Sequence, residues 1–502
     1  MKSTAPRASL PRLVPQPAHL APAPGSFTLD ADTALAAAPG AEDAARLLRT
    51  LLAPATGLAL PERSDGAVRL ALDPALRRLG AEGYRLTVAP GGVRLSAGGA
   101  RGLTAAVQTL RQLLPPEALS DEPVRGVPWT VPGVAITDAP RFPWRGAMLD
   151  VARRFRPVDF LHRYVDLLAL HKLNVLHLHL TDDQGWRMPV PALPRLTEVG
   201  GHPHGGAYTT AELTALVRHA AERGITVVPE IEMPGHVRAA LAAYPRLGNH
   251  PGRALGVWDR WGVCDTVLGV HDDALGFCRT VLDEVMDVFP SPHVHIGGDE
   301  CPTTEWHAAP SALRRVADEG LPGPGALHGW LMDRVGRHVL DAGRTPVAWT
   351  GDGADLPAYF TVMAWLDADH GRAAARRGHD VVMAPHRSTY LDYPQSAGPD
   401  EPPGQPGGVV DLRAVHGTDP APAHWGPLES ARVLGTQGQL WTEYVPTAAH
   451  AEYLAFPRLC ALAETAWTGR RDWPGFRRRL HHHRTRLDTL RVPRRLSPAP
   501  TR

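Results

Sequence analysis

Ile296-Gly297-Gly298-Asp299-Glu300 joins an apolar run, two glycines and two adjacent carboxylates. His293 to Ile296 reads as a short buried strand, and a glycine pair lets the backbone turn tightly or approach a ligand closely. Two acids are therefore expected at the C-terminal end of a strand. Adjacent strand residues point to opposite sides, so the two carboxyls divide their labour unless the backbone bends between them. An Asp-Glu pair also suits a solvated loop end or a helix N-cap, so the rest of the chain must decide.

Other residues able to do chemistry stand at regular intervals. Arg145 and Asp150 accompany a first apolar run, and His177-Leu178-His179 with Asp182-Asp183 a second. Glu230, Glu232 and His236 end a third, Asp299-Glu300 a fourth, and Trp349 with Asp352 a fifth. Trp365 and Asp367 end a sixth, Tyr390 and Asp392 follow a seventh, and Trp441 with Glu443 close an eighth. Carboxylates and Arg hydrogen-bond sugar hydroxyls, indole faces stack on the apolar face of a pyranose, and paired acids cleave glycosidic bonds. Trp425 is a further aromatic that either lines such a site or anchors its own loop.

These residues need a scaffold that gathers strand ends. The runs Gly146 to Val151, Asn174 to Leu180, Ile225 to Ile231, His293 to Ile296, Pro346 to Trp349, Val362 to Trp365, Val381 to Ala384 and Val433 to Leu440 read as strands. Most are separated by helical patterns such as Val158 to His171, Thr210 to Arg223, Asp272 to Phe289 and Ala326 to Ala342. Eight strand-helix units predict a (β/α)8 barrel. A doubly wound sheet fits less well, since no Gly-rich phosphate loop follows the first strand and polar residues follow nearly every strand. Before the barrel, β patterns at Val68 to Leu72, Tyr84 to Val88 and Val93 to Leu95 and a helix at Thr104 to Leu114 predict a smaller α+β domain. The expected organisation is a tail over 1–26, the small domain over 27–137, the barrel over 138–490 and a tail over 491–502. Tyr393 to Pro427, rich in Pro and Gly, is expected to be a long loop over the active face.

Composition narrows the partners. The 502 residues are 43% hydrophobic and 21% charged, and 53 Lys and Arg against 52 Asp and Glu leave a net charge of +1. That balance gives no electrostatic reason for a nucleic acid or anionic membrane partner. A neutral substrate fits better, and oligomeric state is unreadable. No run of about 18 apolar residues occurs. Prolines from Pro11 to Pro24 break any apolar stretch after the basic start, so a secretory signal is not expected and a cytoplasmic location is. Cys264, Cys278, Cys301 and Cys460 lack zinc-site spacing and are expected to be buried thiols.

Four motifs carry a resemblance: Arg145-Gly146-Ala147-Met148-Leu149-Asp150-Val151-Ala152-Arg153, the run from Lys172 through His177-Leu178-His179 and Asp182-Asp183 to Arg187, Pro229 to His236, and His295 to Glu300. In that order they resemble the β-N-acetylhexosaminidases of glycoside hydrolase family 20, over roughly Phe27 to Arg470. The resemblance implies a retaining exo-glycosidase that removes a terminal, non-reducing, β-linked N-acetylglucosamine or N-acetylgalactosamine, with no metal or other cofactor. The nucleophile it implies is the substrate's own acetamido carbonyl, through an oxazolinium intermediate, an exception to the usual two-carboxylate scheme.

The resemblance also implies roles. Glu300 is the general acid and then base, with a raised pKa, and Asp299 stays ionised to orient the acetamide and stabilise the developing cation. Asp182 and His236 support Glu300 through hydrogen bonds. Arg145 and Glu443 bind hydroxyls of the terminal sugar, Trp349, Trp365 and Trp441 enclose the acetamido methyl, Tyr390 meets the carbonyl oxygen and Asp392 the primary hydroxyl. Cys301 and Thr442 depart from the family's pattern: the first suggests sensitivity to thiol reagents, the second a narrower pocket floor. Two rivals are a non-catalytic amino-sugar-binding protein on the same scaffold and a metal-dependent barrel hydrolase using His177 and His179.

Overall fold

The computed structural model describes residues 10–202, 205–350 and 353–495. Asp352, the basic start of the chain and the last residues of the expected C-terminal tail lie outside them. Strands β1 (His19–Leu29), β2 (Leu35–Ala37), β3 (Val68–Leu72), β4 (Tyr84–Ala89), β5 (Gly92–Ala97) and β6 (Trp129–Asp138) form one sheet in the order β1-β6-β4-β5-β3-β2. Alternation along β4, with Tyr84, Leu86 and Val88 buried and Arg85 exposed, turns one face toward the helices Glu42–Thr56 and Ala100–Leu113.

The sheet takes in residues that the sequence assigned to a tail before Phe27. β1 is an edge strand, so Pro22 and Pro24 remove no ladder hydrogen bond that an outer neighbour would need. Its register with β6 breaks between Pro22 and Ser26, which absorbs the misfit.

The chain leaves the sheet at Asp138 and enters the barrel six residues later, at Trp144. The barrel strands are β7 (Trp144–Asp150), β8 (Val175–His179), β11 (Thr226–Glu230), β12 (His293–His295), β13 (Thr345–Thr350), β14 (Thr361–Ala364), β15 (Asp380–Met383) and β16 (Val433–Leu440). Two-residue strands β9 (Thr181–Asp182) and β10 (Gly185–Trp186) make a hairpin on the loop after β8. All eight barrel strands pair in parallel, and β16 closes the ring on β7 with Leu440 opposite Leu149. The eight runs expected to be strands are the eight barrel strands.

The pleat sorts side chains. On β8, Leu176 and Leu178 join the layer between strands and helices, while Val175 packs inside the barrel with Trp144, Val228, Val347, Trp349, Met363 and Val382. His177 and His179 share the inward parity of Val175. The outer helices are bounded by local signals: Thr210–Glu222 opens on a capping box in which Thr209 and Glu212 satisfy each other's backbone N–H.

The long connection after β15 contains the helix Leu412–Gly417, and Trp425 is buried on the barrel flank among Phe142, Val362, Val381 and Val433. Trp425 therefore anchors the loop and does not line a sugar site. The last helix of the described residues is Trp473–Thr489. No helix of the described residues is long and apolar enough to cross a membrane.

Candidate active site

At the C-terminal ends of the barrel strands lies a cavity of about 510 Å³, lined by Arg153, Asp182, Glu232, His236, Asp299, Glu300, Trp365, Tyr390, Asp392, Trp441 and Glu443, among others. That volume suits a small-molecule ligand. A larger groove, about 1100 Å³, lies on the flank near Trp425 and carries none of the paired acids.

The acids sit on a turn that only glycine could make. β12 ends at His295, whose Nδ1 accepts the Gly297 N–H at 3.1 Å. Gly297 and Gly298 have φ of 67° and 103°, and a Cβ on Gly297 would stand 1.8 Å from Glu232 Oε2. Glu300 and His236 also hold left-handed backbone, at φ 44° and 54°, strain that concentrates where side chains must be aimed. Carboxyl oxygens of Asp299 and Glu300 and a nitrogen of His236 lie within 4.8 Å of one another.

Asp182 and His236 are brought together as the motifs suggested. His236 Nδ1 is 3.2 Å from Asp182 Oδ1 and 3.3 Å from Asp183 Oδ2, and its Nε2 is 3.5 Å from Glu300 Oε2. Burial disfavours charge on His236, but Asp182, Asp183 and Glu300 outweigh it and raise its pKa well above the ordinary value. The expected order of proton affinities is reversed. The hydrogen bond with His236 holds Glu300 below the ordinary carboxylate range, whereas burial pushes Asp299 up to about 6. The Glu300 side chain is 44% exposed and Asp299 half-buried, so water stabilises the first charge and not the second.

Arg145 is not in the site. It begins β7, faces away from Asp150 by the pleat, and its guanidinium grips both carboxyl oxygens of Glu82 at 2.8 Å, at the end of the barrel that meets the small domain. Arg153 lines the cavity instead. Its Nη2 lies 2.8 Å from Asp182 Oδ2, its Nε donates to Gln184, and its guanidinium covers the Trp441 ring at 5.0 Å. Asp150 sets that turn: its Oδ1 accepts the Ala152 and Arg153 N–H groups and its Oδ2 accepts Thr442 N and Oγ1. The Thr442 side chain is thus spent on Asp150, is fully buried, and does not narrow the pocket floor.

The aromatic residues divide into two layers. Trp365, Tyr390 and Trp441 line the cavity, while Trp349 lies below, its ring 5.9 Å from Trp441 and its indole N–H given to Glu230. Burial pushes the Asp392 carboxyl well up, with the Glu443 charge adding, and raises Glu443 too. Asp367 faces away, capping the helix Ala368–Arg376. Arg153 Nη1, Glu232 Oε2, Asp299 Oδ1 and Asp392 Oδ1 are buried without a hydrogen-bond partner. Four orphaned polar atoms on one cavity are what a polar ligand would satisfy.

Sequence reasoning named no role for Arg153, Glu232, Trp261, Tyr393 or Tyr444, all of which line the cavity. Arg153 had a signal: it follows the strand end, whereas Arg145 precedes it. Glu232 had one too, standing at the end of the third run, whereas Trp261, Tyr393 and Tyr444 sit on loops with no periodic signature. His177 and His179 face the barrel interior, where Gln437 donates to His177 Nδ1 at 2.9 Å and His177 Nε2 lies 3.0 Å from Glu230. Donor atoms of His177, Glu230 and His295 come within 4.8 Å, as do those of His171, Cys460 and His483 behind the barrel, so both sets could geometrically meet one ion. The four cysteines are free thiols, and burial raises the half-buried Cys301 to about 12, which leaves little thiolate to react with thiol reagents.

A closed barrel with adjacent acids, an arginine and indole walls at its C-terminal face has the architecture of a glycoside hydrolase. The family model for glycosyl hydrolase family 20, catalytic domain, matches residues 142–470, and that for the family's domain 2 matches residues 10–139. A β-hexosaminidase of Porphyromonas gingivalis is 38% identical over 95% of this chain, which spans 63% of that protein. One of Akkermansia muciniphila is 35% identical over 85% of this chain and 87% of its own length. The solved β-N-acetylhexosaminidase of Streptomyces coelicolor A3(2) superposes with a TM-score of 0.86 at 35% identity, covering 98% of this chain and 99% of that one. A mutant Streptomyces plicatus β-hexosaminidase in complex with its product GlcNAc gives 0.85 at 35% identity, covering 97% of each chain. The chain belongs to glycosyl hydrolase family 20.

Proposed function

We propose that the protein is a retaining exo-β-N-acetylhexosaminidase acting by substrate assistance. The observation that carries the reading is the convergence of Asp299, Glu300, Arg153 and Asp392, with orphaned polar atoms, on one cavity walled by Trp365, Tyr390 and Trp441. No second carboxylate is needed as nucleophile if the acetamido carbonyl oxygen attacks C1. The C1–O bond to the leaving group breaks as Glu300 delivers its proton to that oxygen. Glu300, now a carboxylate, takes a proton from the water that opens the oxazolinium, and the anomeric configuration is retained.

The reversed proton affinities fit this sequence once a sugar is bound. An acetamide N–H donated to the orphaned Asp299 Oδ1 restores lost solvation and favours its anion, while a leaving group over the exposed edge of Glu300 removes water and favours its acid form. Arg153, in place of Arg145, is the guanidinium for the sugar hydroxyls, with Glu443 beside it and Asp392 for the primary hydroxyl. Tyr390, whose phenol burial keeps protonated, is placed to donate to the acetamido carbonyl. Trp349 backs the pocket from below.

The decisive experiment compares aryl 2-acetamido-2-deoxy-β-glycosides with their 2-hydroxy counterparts, then with mono-, di- and trifluoroacetamido analogues. Each fluorine withdraws electrons from the carbonyl oxygen, so rates should fall stepwise, the 2-hydroxy sugar should be almost inert, and a thiazoline analogue should inhibit strongly. Equal cleavage of the aryl glucoside would overturn the reading. Assaying gluco and galacto epimers side by side assigns the epimer preference.

A further inference from the structure

Beneath the cavity, the His179 imidazole is held at both nitrogens by carboxylates. Nδ1 lies 2.5 Å from Glu230 Oε2 and Nε2 lies 2.9 Å from Asp182 Oδ2. A neutral imidazole has one N–H and one lone pair, so one of these contacts would set a lone pair against an anion. Only the imidazolium satisfies both. Both ends are fixed: Glu230 also meets His177 and His295 at 3.0 Å and accepts the Trp349 N–H, and Asp182 also accepts Arg153 and His236. The remaining neighbours are Glu232, 3.9 Å away, the edge of Trp441 at 4.9 Å, and the more distant Asp150. Burial, with the charges of Asp299 and Glu230, raises Glu232 well above the ordinary carboxylate range, so it competes less than Glu230 and Asp182 for the imidazole.

We infer that His179 is a positioning residue: a buried cation that, with Arg153, absorbs the charge of Asp182, so that His236 does not hold its proton too tightly to share it with Glu300. The inference rests on Glu300 as acid and base. The path runs from Glu230 through His179, Asp182 and His236 to Glu300, each link within 3.5 Å, and crosses from the barrel interior to the cavity. Without the imidazolium, Asp182 faces His236 with more of its charge. His236 then binds its proton more tightly, and Glu300 is drawn further toward its anion.

The test is His179→Gln, read by pH profile and leaving group. The basic limb of kcat, where Glu300 loses its proton once a bound sugar has lifted it above Asp299, should move down by about half a pH unit or more. Turnover should fall about 10- to 100-fold on a disaccharide with a basic leaving oxygen, a span typical of residues that orient a reactive group from behind. Loss on a dinitrophenyl glycoside should be small, and binding of a neutral sugar unchanged. An unmoved limb with equal loss across leaving groups would overturn the inference. The wild-type response to leaving group and its loss in Glu300→Gln are measured alongside, so failure of the acid assignment is recognised separately. Should His179→Gln not fold, neutron diffraction of the wild type at pH 7 decides: hydrogen on both His179 nitrogens is expected, and hydrogen on one alone overturns it.

Discussion

Glu300 combines an exposed edge with a histidine behind it, so its proton affinity is set by whatever covers that edge. Glu300→Gln should lose about 10²- to 10⁴-fold on substrates with poor leaving groups and far less on activated phenolates in the glycosylation step, because proton donation matters only to a basic departing oxygen. Leaving-group plots for the two enzymes check this. Asp299 supplies a second prediction. Its carboxyl is raised to about 6 by burial in the free protein while Glu300 lies below it, and the proposed mechanism needs the minority form with Glu300 protonated and Asp299 ionised, so kcat/KM should fall as pH rises through about 6. Once the acetamide N–H stabilises the Asp299 anion and a leaving group covers Glu300, that order reverts, and the basic limb of kcat should lie higher than that of kcat/KM. Asp299→Asn should abolish the limb near 6 and cost about 10²- to 10³-fold in turnover, with neutral-ligand affinity little changed. Residue by residue, the sequence could place the acids because their motif carries its own glycine turn. It could not rank their proton affinities, since burial and the His236 contact come from other strands.

Strand by strand, more was legible, and the misreading is instructive. Eight runs of apolar residues gave eight barrel strands because the interior and the helix-facing layer both demand them. The β7 motif holds two arginines, and the one chosen as a sugar ligand lies at the wrong end. Arg145 and Asp150 are five residues apart, so the pleat alone puts them on opposite faces. The loops that supply Trp261, Tyr393 and Tyr444 follow no period, and tertiary contact alone brings them to the cavity. Where β7 and β16 end, Asp150 ties the Arg153 turn to Thr442. Thr442→Val keeps the backbone bond and removes the hydroxyl, which should lower stability by about 1.5–3 kcal/mol, as for other hydrogen bonds to a charged group. Tolerance of longer N-acyl groups should not change. A widened acyl range in Thr442→Gly would show that the hydroxyl faces the pocket after all.

Across the whole molecule, the small domain buttresses the barrel end opposite the cavity. Arg145 reaches Glu82, and Lys172 meets Asp138 and Tyr84 while lying over Trp467, so charged groups of both bodies share one buried seam. Arg145→Met should strand Glu82 and cost about 3–5 kcal/mol, seen as a lower Tm, while KM for an aryl substrate stays as in the wild type. The Arg145→Met, Glu82→Gln double variant should recover part of that loss, because no charge is left unpaired. A raised KM with unchanged Tm would return Arg145 to the sugar site.

The ring is shut by β16 against β7, and β16 leads directly into Trp441 and Glu443. The strand that makes the scaffold whole therefore delivers one wall of the pocket and one of its acids. That contact joins segments nearly three hundred positions apart, so it belongs to the slow, non-local part of assembly. A nascent chain still lacking this last strand can neither close the ring nor complete the cavity, and should be silent however much helix it has formed. During refolding, recovered hydrolysis should trail the far-ultraviolet signal and keep pace with probes of this seam, so the enzyme's own turnover serves as a clock for ring closure.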